Sequence, residues 1–96
     1  MTHAWVHHSA DRSEKLQYWV LDVIPRGRLS MILEYVDPRT PHFWRSTLEA
    51  GGDGAVLCVV SIDAPDVEAA QRQAVEGTAA FLSRMAQALL EANEET

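Results

Sequence analysis

This sequence predicts an α+β fold: an antiparallel β-meander of three to four strands followed by a long C-terminal helix packed on one sheet face. Three observations carry that expectation. Residues 16–24, 28–36 and 55–62 are runs rich in β-branched and aromatic side chains, the types that suit a pleated, partly buried surface. Short Pro- and Gly-containing segments punctuate these runs. From Val67 to Leu89, apolar residues recur at steps of three and four, the signature of an amphipathic helix.

Taken in order, residues 1–14 are polar and read as a flexible N-terminal segment, the meander occupies 15–62, and the helix occupies 64–93, all within one domain of 96 residues. Leu16 to Ile24 is too short and unperiodic for a helix and reads as a strand. Pro25-Arg26-Gly27 supplies a fixed φ and then a residue free to take positive φ, the chemistry of a short hairpin closing with a bulge. In the following strand, Leu29, Met31, Leu33 and Tyr35 alternate onto one apolar face, with Arg28, Ser30 and Glu34 on the other. Pro38 and Pro41 end it.

Residues 41–50 admit two readings. Thr40 as N-cap, Pro41 at the first helical position and Gly51 past the end would frame a short helix. Alternatively, His42 to Leu48 has the composition of a strand closed by Gly51-Gly52-Asp53-Gly54, and this reading is preferred because strands flank it on both sides. Ala55 to Ile62 is apolar on both faces, as a covered central strand would be.

Asp63 or a neighbour is expected to cap the helix, with Pro65 in its first turn and Asp66 and Glu68 favourably placed at its N-terminus. Its main stripe is Val67, Ala70, Ala74, Thr78, Phe81, Met85 and Leu89, broadened by Val75, Leu82 and Leu90. Gly77 costs about 1 kcal/mol relative to Ala in a helix and marks a possible break. Unbroken, Pro65 to Asn93 would span about 44 Å, against about 30 Å for a nine-residue strand. Either the helix folds back near Gly77, or Leu82, Met85, Leu89 and Leu90 extend beyond the sheet and need another surface. One helix also covers only one sheet face. The N-terminal segment, the 41–50 region or a second copy must cover the rest, and a homodimer is the expected answer.

Composition excludes several classes of function. The chain is 47% apolar and 23% charged with net charge −6, and its acids concentrate in the second half, where nine face only Arg72 and Arg84. Such a surface repels phosphate backbones, so no direct nucleic-acid binding is expected, and a basic protein partner would suit it. The longest apolar stretch, around Ala55 to Ile62, falls well short of the roughly 20 residues that span a bilayer, and the first residues have no signal-peptide pattern. A lone Cys58 in an apolar run reads as a buried, reduced thiol, and the chain as cytoplasmic.

Candidate chemistry is thin. His3, His7, His8 and His42 are of metal-ligating type, but no Cys or motif acid accompanies them, so no metal and no cofactor is expected. Asp22 and Glu34 could face one another across a hairpin, yet the count places them diagonally, with Arg28 nearer to Asp22 and a cross-strand ion pair the favoured outcome. The glycine-rich turn precedes a strand and so cannot cradle phosphate at a helix N-terminus, and Ser46, Thr47 and Ser61 lack a triad pattern. The leading expectation is a non-enzymatic protein-interaction module, of regulatory, inhibitor or immunity, or chaperone type. It would contact its partner through Phe43, Trp44, Arg45, Leu82, Met85 and Leu89. The rival is a small-molecule-binding domain or minor enzyme whose pocket, between sheet and helix, is lined by Trp19, Tyr35, Trp44 and Arg45.

Overall fold

The computed structural model describes residues 4–9, 17–26, 28–37 and 39–95. Five strands, β1 (Trp5–Ser9), β2 (Gln17–Ile24), β3 (Leu29–Tyr35), β4 (Phe43–Ala50) and β5 (Ala55–Asp63), precede one helix, α1 (Val67–Glu94). The strands lie in sequence order in a single sheet, and every neighbouring pair is antiparallel, so β5 is an edge strand with Val56, Leu57 and Val59 exposed and not the covered central strand that its apolar faces suggested. The expected meander and long helix are both present.

Two strand boundaries answer questions that the sequence left open. Residues 43–50 form β4, not a helix, with Gly51, Gly52 and Gly54 all at positive φ in the turn that follows. The strand count exceeds the expected three to four because Trp5–Ser9, inside the segment read as flexible, adds an edge strand against β2. Stacking anchors that edge: His7 lies on Trp19 at 4.8 Å between ring centroids and His8 on Tyr18 at 5.0 Å. Of the rest of the 1–14 segment, Ala4 is exposed, and residues 1–3 and 10–14 lie outside the described residues. In the β2–β3 turn Arg26 takes positive φ, at 65°; the expectation for Gly27 lies outside the described residues.

The helix begins later than expected, at Val67. Asp63 is still paired to Phe43 in β5, so it is not free to cap. Asp66 takes the role instead, with an extended backbone and a side chain that accepts the Ala69 N–H at 2.8 Å; Pro65 therefore precedes the cap. The helix is also unbroken at Gly77. Over 28 residues it spans about 42 Å.

The core is the layer between α1 and one sheet face: Met31, Leu33, Trp44, Leu48, Cys58 and Ile62 from the strands, with Ala64, Ala70 and Ala74 above them. The helix contributes small side chains there because its backbone runs close to β5. At Gly77 a Cβ would lie 3.0 Å from Val60 Cγ1, so the glycine permits close approach. The helix-propensity gain of Gly77→Ala, about 1 kcal/mol, is opposed by overpacking against a stiff β-branched partner, typically 1–3 kcal/mol. Gly77→Ala is expected to lower stability by about 1 kcal/mol, and the same change in a Val60→Ala background to raise it by a similar amount. Urea denaturation of the four proteins checks this, and identical effects in both backgrounds would refute the close-approach explanation.

Candidate functional site

Alternation along β4 decides how the sequence-predicted residues are distributed. Trp44 points into the core at 1% exposure, while its neighbours Phe43 and Arg45 are exposed on the far face of the sheet. Phe43, Trp44 and Arg45 therefore do not present one contact surface. Trp44 Nε1 donates to the Ala64 carbonyl at 3.1 Å, tying β4 to the chain entering the helix.

The aromatic part of the proposed small-molecule set is brought together. Tyr35 stacks on Trp44 at 4.2 Å, and Trp19 packs at 5.6 Å from Trp44 and 5.9 Å from Tyr35. These rings fill space against one another, and they do not line the groove described below. Arg45 stands on the opposite face, where its guanidinium donates twice to Glu34 Oε1, at 2.7 and 3.2 Å. The proposed set of four thus lines no common pocket.

The carboxylates separate in the same way. Asp22 sits opposite Ser30 and accepts its hydroxyl at 3.0 Å, in place of the expected pairing with Arg28, which lies in the turn outside the β2–β3 ladder. Glu34 is engaged by Arg45. Adjacent positions in β1 place His7 and His8 on opposite faces, and His7 Nε2 meets Gln17 Oε1 at 3.2 Å. Among the described residues there is no group of three or more His, Cys, Asp or Glu side chains able to hold a metal ion. The arginines are dispersed too. Arg39 is paired with Asp37 at 3.1 Å, and its guanidinium and backbone N–H hold the Asp37 carboxyl below the usual carboxylate range. Arg26 and Arg28 lie at the β2–β3 turn, at the other end of the strands.

What the fold does build is an apolar groove beside the helix. The helix packs chiefly on β5 and also touches β4 and β3. Beside it, Leu21, Val23, Leu29 and Met31 form a floor and Val75, Ala79 and Leu82 a wall, enclosing about 260 Å³. Among the described residues Thr78 is the single polar side chain in the lining and no titratable group lines it, so these residues offer shape and apolar contact without acid–base chemistry. Past Phe81 every described helix residue is exposed. Leu82, Met85 and Leu89 are 40%, 53% and 72% exposed, and Met85, Ala86, Ala88 and Leu89 border a second shallow hollow. The groove wall and this outer stripe continue one another along the helix.

The sequence carried a signal for this surface. Val75 and Leu82 were legible as a broadening of the helix stripe, about a quarter-turn from Ala70, Ala74 and Thr78. Missing was the lateral position of the helix, which leaves part of the β2–β3 surface uncovered. The helix charges are asymmetric: Glu91, Glu94 and Glu95 against Arg84 over the exposed tail. No helix among the described residues is long and apolar enough to cross a membrane. Comparison with known protein families, with curated proteins and with solved structures finds no match to this chain.

Proposed function

We propose that this protein is a non-enzymatic binding module that takes up an apolar, basic-flanked segment of another protein along the groove and the exposed helix stripe. The observation that carries the reading is their continuity: an apolar groove of about 260 Å³ runs into Leu82, Met85 and Leu89, all substantially exposed. An apolar surface of this kind, rimmed by polar residues, is typical of an interaction site. Its geometry suits an amphipathic helix lying alongside α1 with apolar residues at helical spacing. The excess of acid in the helix tail and the net charge of −6 favour Lys and Arg on the flanks of that segment. A module of this chemistry would serve as a regulatory subunit, an inhibitor or a chaperone for an apolar segment.

A synthetic amphipathic Leu/Lys peptide, with a Leu/Glu counterpart of the same length, tests the reading by fluorescence anisotropy. The Leu/Lys peptide is expected to bind, and Leu82→Ser together with Leu89→Ser to weaken it by roughly tenfold or more while leaving net charge unchanged. The Leu/Glu peptide is expected to bind much more weakly at low salt, with the difference narrowing as salt rises. Equal affinity for both peptides, or binding indifferent to the double substitution, would overturn the assignment.

A further inference from the structure

The face of the sheet turned away from the helix carries a pattern that the groove does not explain. Following the strand pairings across the sheet, Val6 lies opposite Val20, Val20 opposite Ile32, Ile32 opposite Thr47 and Thr47 opposite Val59. These side chains share one face, so a row of four apolar residues and Thr47 crosses all five strands. No described element covers it, and the end residues Val6 and Val59 are 54% and 55% exposed. Polar rows flank it two positions away on either side. One contains Tyr18, Glu34 and Arg45; the other contains Asp22, Ser30 and Glu49.

We propose that two copies of this chain pair face to face through this sheet surface, about a two-fold axis lying along the apolar row. The charges select that axis. Rotation about the row brings each strand over its own copy and exchanges the flanking rows. Arg45 then faces the partner's Glu49, Tyr18 the partner's Asp22, and Glu34 the partner's Ser30. The other in-plane axis, along β3, would set Glu34 against the partner's Glu34 and Asp22 against the partner's Glu49, both like-charge contacts that oppose association. Arg45 is available for the first arrangement, being half exposed at its intrachain contact with Glu34. The size is adequate as well. Five strands about 4.8 Å apart, with lengths of about 25 Å, give a face of roughly 600 Å² in projection, and side-chain relief brings this close to the ~800 Å² per partner of a standard interface. Sheets stacked this way lie about 10 Å apart with strand directions within about 30°. The interface is distinct from the groove, so either assignment can fail without the other.

Light scattering coupled to size-exclusion chromatography, over a dilution series, reads the result. The wild-type chain is expected at about twice 10.7 kDa. Arg45→Glu and Glu49→Arg, each alone, put like charges together at two symmetry-related places and are expected to raise the dimer dissociation constant by roughly tenfold or more. The double swap, Arg45→Glu with Glu49→Arg, is expected to restore most of the affinity. In the double variant the introduced glutamate still lies beside Glu34 of its own chain, so recovery reports the contact between copies alone. Leu82→Ser with Leu89→Ser is expected to leave the dimer intact. These are surface changes, and circular dichroism checks that each variant is folded. A monomeric wild type, charge variants with unaltered association, a double swap without recovery, or a dimer split by the helix substitutions would each overturn the proposal.

Discussion

Trp44→Ala is expected to cost about 3–5 kcal/mol, the range for deleting a fully buried large aromatic side chain. Domains of this size are stable by about 5–15 kcal/mol in all, so the variant is expected to lose a large share of its stability. Two separate losses combine. The indole is 1% exposed and packs on Tyr35 and Trp19, so its removal leaves a cavity bordered by two further rings. Its Nε1–H also satisfies the Ala64 carbonyl, which the variant leaves without that donor. Trp44→Phe separates the terms, since it keeps a ring but not the donor, and is expected to cost about 1–3 kcal/mol. Urea unfolding followed by far-ultraviolet circular dichroism measures both. If alanine proved no worse than phenylalanine, the packing of the three rings would have no energetic weight.

Ala74→Asp is the second large effect, because it attacks the contact between layers. Ala74 has no exposed surface and sits where the helix lies against the sheet, so an aspartate there would lose its water in a buried layer that holds no charged group among the described residues. The expected loss is several kcal/mol at pH 7. Its pH dependence has a definite sign. Burial disfavours the charged form and raises the folded-state pKa above the unfolded value of about 3.9. Relative to wild type at the same pH, the deficit is therefore smallest well below the unfolded pKa, where both states hold the proton, grows as pH rises from about 3.9 towards the folded-state pKa, and levels off above it. Matched denaturation curves at low and neutral pH check the trend. A deficit independent of pH would mean that the helix lifts locally and leaves the carboxylate hydrated.

The elements legible in the sequence were those whose own residues decide their conformation. β2, β3 and β5 are dense in β-branched and aromatic side chains, and α1 declares itself by spacing. β1 is different. Val6-His7-His8-Ser9 has little strand propensity of its own and becomes a strand through pairing and ring stacking with β2, contacts that only the folded sheet supplies. Gly77 misled for a related reason: its propensity cost was visible, whereas the approach to Val60 that makes a glycine useful there was not. The three-ring cluster was partly foreseeable, since Trp19, Tyr35 and Trp44 each fall on an inward position of their strands. Arg45 was grouped with them although, next to Trp44 in a strand, it had to face the other way. The apolar row across the far face depends on the register of four pairings at once, and irregularities in two of those pairings set parts of that register.

The place of β5 at the margin of the sheet has a consequence for how the chain behaves when it is not intact. Ala55 to Ile62 has no charge and no proline, is rich in β-branched residues, and forms an outermost strand with backbone groups along one side outside the ladder. Such a segment is a template for intermolecular strand addition and cross-β assembly. In the native protein the helix lies chiefly along this strand, with Gly77 close over Val60. The helix thus covers the inward face of this segment as well as filling the core, while Val56, Leu57 and Val59 stay exposed on the other face; a chain in which α1 detaches is expected to present both faces of a strand whose edge is already open.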